Sequence, residues 1–315
     1  MSYSLNTLYR TVGVSKQAVQ QARSRQTAFD RELAELVILA DHLKKEHPGC
    51  GVEKMYRTLQ PKCMGRDKFC EIFLDLGFGV KRVKNYHRTT YSGDIYYPNL
   101  IEGMSVIRPY QVIQSDITYF HLNDQHYYLV FIIDVYTRQI VGFAVNNHMR
   151  TLANIQALKM ALKVMKYQPW GLIHHSDRGA QYSSNDYTKL LKDKQIHISM
   201  GKVAWENPYA ERINGIIKNE YLKKWIIKDF RTLKKKVAQA VKNYNQKRLH
   251  RAFNMDYSPM GFYQNLLNSN TQERPKVTIY TETGQNFSEA SSHQEVYPRQ
   301  EPLAHICLMD IYNEC

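Results

Sequence analysis

Residues 112–145 read VIQSDITYFHLNDQHYYLVFIIDVYTRQIVGFAV and contain three runs rich in Ile, Val, Tyr and Phe, at 112–120, 127–136 and 139–145. Side chains that are β-branched or aromatic at this density suit a pleated, half-buried backbone. Asn123-Asp124 and Thr137-Arg138 separate the runs with residues suited to tight turns, so three successive antiparallel strands are predicted. Downstream, Leu152, Ile155, Leu158, Ala161, Leu162 and Met165 keep a helical period over 151–166, and Pro169 lies past its end. A short apolar strand at 171–176, a helix at 184–194 capped by Ser184 or Asn185, and a strand at 197–200 follow. That order of elements predicts an α/β protein, a mixed five-stranded sheet with helices packed on it.

Three carboxylates fall at particular points of this layout. Asp116 lies inside the first strand between Ser115 and Ile117, where an acid is costly to bury unless it is paired or binds metal. Asp177 ends the fourth strand in HHSDRGAQYSS, with Arg178 and Gln181 able to reach a ligand beside the strand end, where open sheets place their sites. Glu211 lies in WENPYAERINGIIKNEYL about one turn into a helix started by Asn207 and Pro208, and Asn214, Gly215 and Lys218 continue its face. Taken singly, Asp116 reads more readily as an outward-facing strand residue, Asp177 as a turn acid, a reading weakened by the polar residues around it, and Glu211 as an exposed helix acid that its neighbours do not exclude. Taken together on a basic chain, they suit Mg²⁺, which prefers carboxylate and water oxygens. Two such ions about 3.5–4 Å apart serve phosphodiester chemistry. His174 and His175 read as strand residues, one packed and one near the site, rather than as ligands.

The wider composition agrees with a nucleic-acid partner. Lys and Arg outnumber Asp and Glu by 43 to 29, a formal charge of +14 that attracts polyanions over distance. No apolar run is long enough for a spanning helix, and the opening MSYSLNTLYRTVGV lacks a signal-peptide core, so a cytoplasmic location without membrane association is expected. The five cysteines form no CxxC pair, which fits a reducing compartment, and His42, His47, Cys50 and Cys63 lack the paired spacing of a zinc site.

Toward the N-terminus, residues 5–23 place Leu8, Val12, Val14 and Val19 around a turn at Gly13. Ser15 would cap a second short helix, which reads as a helix-turn-helix presenting Lys16, Gln17 and Gln20 to DNA. A simple helical pair would carry the same pattern. A further helix at 29–47 stops at His47-Pro48-Gly49, helices at 52–59 and 66–76 follow, and Lys81, Arg82, Lys84, His87 and Arg88 make a basic exit strand. The expected organisation is a helix-turn-helix at 1–25, a helical DNA-binding region at 26–92 and a linker at 93–108. The catalytic core then covers 109–228, a helical extension 229–267, and a polar, flexible tail 268–315, in which KVTIY could form one short strand.

The strings QSDITYF, DVYTRQIVGFAV, HHSDRGAQYSS and ENPYAERINGIIKNEYL resemble the catalytic core of insertion-sequence transposases related to retroviral integrases, specifically the second-frame product of the insertion sequence three family. NYNQKRLHRAFNMDYSP resembles that family's closing motif through Tyr244, Asn245, Arg248, His250 and Pro259, and HPGCGVEKMYRTL with GRDKF resembles its helical DNA-binding segment. The resemblance implies a ribonuclease-H-like core in which Asp116, Asp177 and Glu211 hold two Mg²⁺ or Mn²⁺ ions. It implies hydrolysis that frees a 3′-hydroxyl at an element end, followed by strand transfer into target DNA. It also implies a homo-oligomer on double-stranded DNA, an upstream-frame partner protein and a bacterial, nucleoid-associated location. Arg178, Gln181, Asn214, Lys218 and Arg248 join Lys16, Gln17 and Gln20 as the expected DNA-binding set. The chain departs from the family in having 33 residues between Asp177 and Glu211 rather than about thirty-five, the shortening falling in SMGKVAW. A ribonuclease-H-like nuclease without joining activity and an inactive DNA-binding remnant are the rival expectations. If the surplus charge tracks phosphates, duplex affinity will fall steeply between about 50 and 200 mM salt, and a flat titration would contradict that.

Overall fold

In the computed structural model, which describes residues 5–80, 96–148, 151–165, 170–268 and 274–279, the predicted antiparallel strands appear as β1 (Val112–Leu122), β2 (Gln125–Asp134) and β3 (Ile140–Asn146). Asn123 and Asp124 both take positive φ (49° and 58°), the left-handed pair that matches strand twist in a two-residue hairpin. The second turn is built differently from a simple polar break. Asp134 is fully buried and accepts from the N–H groups of Tyr110 (2.9 Å) and Thr137 (3.0 Å) and from the Thr137 hydroxyl (2.6 Å), which ends β2 two residues before the predicted boundary.

Two parallel strands, β4 (Ile173–Ser176) and β5 (His197–Met200), extend the sheet on the other side of β1. The order β3-β2-β1-β4-β5 places β1 at the centre, with the predicted strand count and mixed direction. Residues 96–108, expected as a linker, belong to this unit instead. Ile101 and Val106 are buried, the Leu100 N–H donates to Ser199 Oγ at 2.9 Å, and Ser105–Val106 pairs with Val277–Thr278, the strand anticipated in KVTIY.

The chain divides into two units, and this one comprises residues 89–214, 227–242 and 263 onward. The other comprises residues up to 88 together with 215–226 and 243–262. In it, α1 (Leu5–Val12) ends at Gly13 (φ 71°), and Ser15 caps α2 by accepting from the Ala18 N–H at 3.1 Å, as predicted. The expected short second helix is not a separate element. Nothing in 16–46 breaks the backbone, so α2 (Lys16–Glu46) runs straight through the boundary predicted at residue 25. Its later half packs Leu36 and Ala40 against α3 (Val52–Leu59) and α4 (Arg66–Asp75) around Met55, Phe69 and Phe73. Its first turns are exposed, and so are Leu5 and Val12. The basic stretch at Lys81, Arg82, Lys84, His87 and Arg88 and the tail from 280 lie outside the described residues.

On the sheet unit, α5 (Thr151–Val164) covers β3 with Ala153, Ala157 and Ala161, and α6 (Asn185–Asp193) follows β4 with Ser184 at its N-cap position. Past the core come α7 (Pro208–Ile216), α8 (Phe230–Gln246) and α9 (Pro259–Asn268). No helix among the described residues is long and apolar enough to cross a membrane.

The approach of α5 to β3 is so close that only glycine fits at 142. An added Cβ would lie 2.1 Å from the Ala157 carbonyl oxygen, which is backbone and cannot swing aside. Gly142→Ala should therefore destabilise the chain by roughly 1–3 kcal/mol, read as a drop of several degrees in the melting midpoint. An unchanged midpoint would mean that this approach is absent in solution.

Candidate active site

Strand β1 breaks its apolar pattern at Gln114, Ser115 and Asp116, and each of these consecutive residues holds α7 or the residue that starts it. The Asn207 side-chain amide donates to the Ser115 carbonyl oxygen at 2.8 Å, the Tyr209 N–H donates to Gln114 Oε1 at 3.1 Å, and the Asn214 amide donates to Asp116 Oδ2 at 2.7 Å. Asn207 thus starts the helix through its carbonyl, which accepts from the Glu211 N–H at 3.2 Å, while its side chain anchors the helix to the strand instead of capping it. Glu211 is carried between the anchoring points at 209 and 214.

Asp116 is half-buried, and its Oδ1 accepts from the Ile117 N–H at 2.9 Å. Asp177 follows β4, the parallel neighbour of β1, and its Oδ1 accepts from the Gly179 N–H at 3.1 Å. A Cβ at Gly179 would come within 3.0 Å of that same oxygen, so the tight turn keeps the carboxylate in place.

The three acids act on one another. Burial first, then the negative charge of Asp177, with a further contribution from Glu211, pushes the Asp116 carboxyl up from its ordinary 3.8 to about 8, against the opposing hydrogen bonds from Ile117 and Asn214. Glu211, exposed to solvent, is also raised, by partial burial and then by Asp177. Among the described residues, no three His, Cys, Asp or Glu side chains converge on one metal-ion position.

The neighbouring histidines are structural. His174 bonds the Tyr187 hydroxyl and His175 the Ser199 hydroxyl, each at 2.8 Å, and burial pushes them down to about 3 and about 4, so both are neutral at pH 7.

The expected DNA-binding residues meet different fates. Arg178 is half-buried with its guanidinium 4.5 Å from the centre of the Tyr96 ring, and Gln181 is half-buried beside Gly179. Asn214 is buried and committed to Asp116. Lys16, Gln17 and Gln20 are exposed on the first turns of α2. Lys218 falls past the end of α7 in a π-helical turn, Ile217–Tyr221, so the seven-residue spacing that placed it on the face of Glu211 does not run through one continuous α-helix.

Arg248 requires a correction. It is buried, and it donates from Nε and Nη2 to the two carboxylate oxygens of Glu220, both at 2.8 Å, with Lys54 at 3.4 Å from the same group. Burial pushes the Glu220 carboxyl up, but these two cations more than offset it and hold it below the usual range. Two of the five guanidinium N–H groups are thus engaged with Glu220 inside the helical unit. Sequence reasoning also missed Gln114 and Asn207, although polar residues beside Asp116 in an apolar strand were the signal.

The chain matches the integrase core domain family over residues 107–204 and again over 192–256. It is 33% identical over 201 residues to the transposase for insertion sequence element IS629 of Shigella sonnei, covering 59% of this chain and 67% of that protein. With the transposase for insertion sequence element IS904 of Lactococcus lactis the figures are 31% over 191 residues, 58% and 72%. A 31 kDa protein of insertion element IS600 from Shigella sonnei is 34% identical over 164 residues, and there the chain spans 60% of the relative's length. Among solved structures, the HTLV-2 integrase catalytic core domain in complex with magnesium is 19% identical with a TM-score of 0.39, covering 49% of this chain and 95% of that one. On its sequence relatives and its integrase core, the chain belongs to the insertion-sequence transposases.

Proposed function

We propose that this chain is a DNA transposase that hydrolyses a phosphodiester at the end of an insertion sequence and then joins the freed 3′-hydroxyl to target DNA, with Asp116, Asp177 and Glu211 as its catalytic acids. The observation that carries this reading is the mutual charge of the three carboxylates, brought about by the anchoring of α7 on residues 114–116 of β1.

A divalent metal fits that donor set. Carboxylates that raise one another's proton affinity are relieved by a hard cation, and Mg²⁺ is commonly held by only one or two carboxylates, the rest of its shell being water and substrate phosphate. Asp116, Asp177 and Glu211 would together hold two Mg²⁺ or Mn²⁺ ions, with water and substrate phosphate completing the shells. Bound there, such ions supply charge stabilisation of the attacking and leaving oxygens. The chain's own contribution is orientation. Asn214 and the Ile117 N–H fix both oxygens of Asp116, and the Gly179 N–H fixes Asp177. No side chain has to form a covalent intermediate, and His174 and His175 are both neutral at pH 7.

Arg178 and Gln181, beside the strand end, are the groups that would meet DNA at the site, and Lys16, Gln17 and Gln20 would meet it in the helical unit, with Lys218 as a further phosphate contact. Joining two ends to a target calls for a homo-oligomer on DNA, with an upstream-frame protein as a further partner.

With a duplex bearing the repeats that flank its reading frame, and Mg²⁺ or Mn²⁺, the full chain should release a 3′-hydroxyl end and form joined products, and Asp177→Asn should reduce both to background. Cleavage without joining would reduce the protein to a nuclease, and a bound but uncut duplex would make it a DNA-binding remnant.

A second prediction follows from Asp116. Its carboxyl ionises near pH 4 in the unfolded chain and only near pH 8 in the folded one, so the metal-free fold binds the extra proton in between. Metal-free stability is therefore lost as pH rises from about 4 to about 8. Asp116→Asn, which cannot ionise, should melt several degrees above wild type at pH 8 in chelator and close to it at pH 4, and only wild type should gain stability on adding Mg²⁺ at pH 8. Equal pH profiles for the two proteins would refute the raised ionisation.

A further inference from the structure

The loop ahead of α7 is pinned at both ends to the residues that precede the two aspartates. At one end the Gly201 N–H donates to the carbonyl oxygen of Ser176, the neighbour of Asp177, at 2.9 Å. At the other, the Asn207 amide holds the carbonyl oxygen of Ser115, the neighbour of Asp116. Between them the Glu206 carboxylate accepts from the Lys202 N–H, and the Glu206 N–H donates to the Val203 carbonyl at 3.1 Å, so the loop is closed on itself through the 3₁₀ turn Ala204–Glu206. Gly201 is required there, because a Cβ would meet the Glu206 Cβ at 2.9 Å.

A loop held so firmly nonetheless leaves its large apolar side chains in water. Trp205 is 50% exposed and Val203 44%, with Lys202 exposed beside them and Arg212 exposed on the first turns of α7. An indole and basic side chains around a rigid turn are the elements of a stacking platform for unpaired nucleotides, since every base has a flat π-face and every nucleotide brings a backbone phosphate. A second protein surface would suit Val203 and Trp205 but would gain nothing from the flanking cations of a chain already at +14.

We propose that Trp205 stacks on a base unpaired at the DNA end whose phosphate enters the acidic site, with Lys202 on the adjoining phosphate, so that the loop positions the strand to be cut. This rests on the transposase reading above. It is a positioning role, exerted through the DNA, and distinct from that of the three acids.

Binding of the full chain is measured in chelator, without cleavage, to end duplexes carrying 2-aminopurine at successive positions near the cleaved end, and to matched duplexes with an abasic site there. Trp205→Ala should weaken binding by about 5- to 100-fold, the range of base–aromatic stacking, and abolish the 2-aminopurine fluorescence change, while Trp205→Phe restores most of both. The abasic site should weaken wild type but leave Trp205→Ala unaffected. The half-exposed indole predicts an unchanged melting midpoint. Should Trp205→Ala nevertheless unfold, wild type and Trp205→Phe on intact and abasic duplexes still decide the matter. Equal affinity of wild type for intact and abasic ends, a persisting fluorescence change in Trp205→Ala, or loss of self-association in place of DNA affinity would each overturn the proposal. Wild type that shows the stacking signal but never cuts would sink the catalytic reading and leave this one standing.

Discussion

Three hydrogen bonds from α7 and Asn207 to consecutive residues of the central strand hold the rest of the site together. Gln114, Ser115 and Asp116 each offer one oxygen, and Tyr209, Asn207 and Asn214 each bring one N–H to it. A strand can serve a helix in this way only by giving up its apolar alternation, because an unpartnered amide or carboxylate at this depth would cost more than the contact returns. Gln114 and Ser115 are fully buried, and these bonds satisfy one end of each amide, whereas Gln114 Nε2, Asn207 Oδ1 and Asn214 Oδ1 have no protein partner among the described residues.

Three buried or half-buried acids show how their surroundings assign their roles. Asp134 is fully enclosed and meets backbone N–H groups and a hydroxyl, which suits a structural corner. Glu220 is enclosed with Arg248 and Lys54, which neutralise it and lower its ionisation. Asp116 alone among them is raised by other carboxylates, and a site that concentrates like charge is unstable by itself and favours a cation. The distinction lies in the neighbours, not in the burial.

The same contrast explains what the residue pattern revealed and what it hid. The hairpins at 112–145 were legible because period and turn chemistry act over a few residues, and Asn123-Asp124 readily takes the positive φ its turn needs. The N-cap at Ser15 was legible for the same reason. The length of α2 was not, since a weak apolar pattern over 16–28 looks the same whether the helix stops or continues exposed. Arg248 entered the expected DNA-binding set through the motif it resembles, and nothing in that motif hints at Glu220, its partner 28 positions earlier.

From the amino-acid order alone followed the strand and helix succession of the sheet, the basic character and the family the chain resembles, since all of these depend on neighbours in the chain or on composition. Tertiary structure decided which polar groups are consumed internally. Asn207 turned from cap to anchor, Asn214 was committed to Asp116, Arg248 was withdrawn into an ion pair, and Trp205 was left in solvent on a pinned loop. The physical reason is that a hydrogen-bond donor or an aromatic ring has no fixed role until the fold brings, or withholds, a partner from far along the chain.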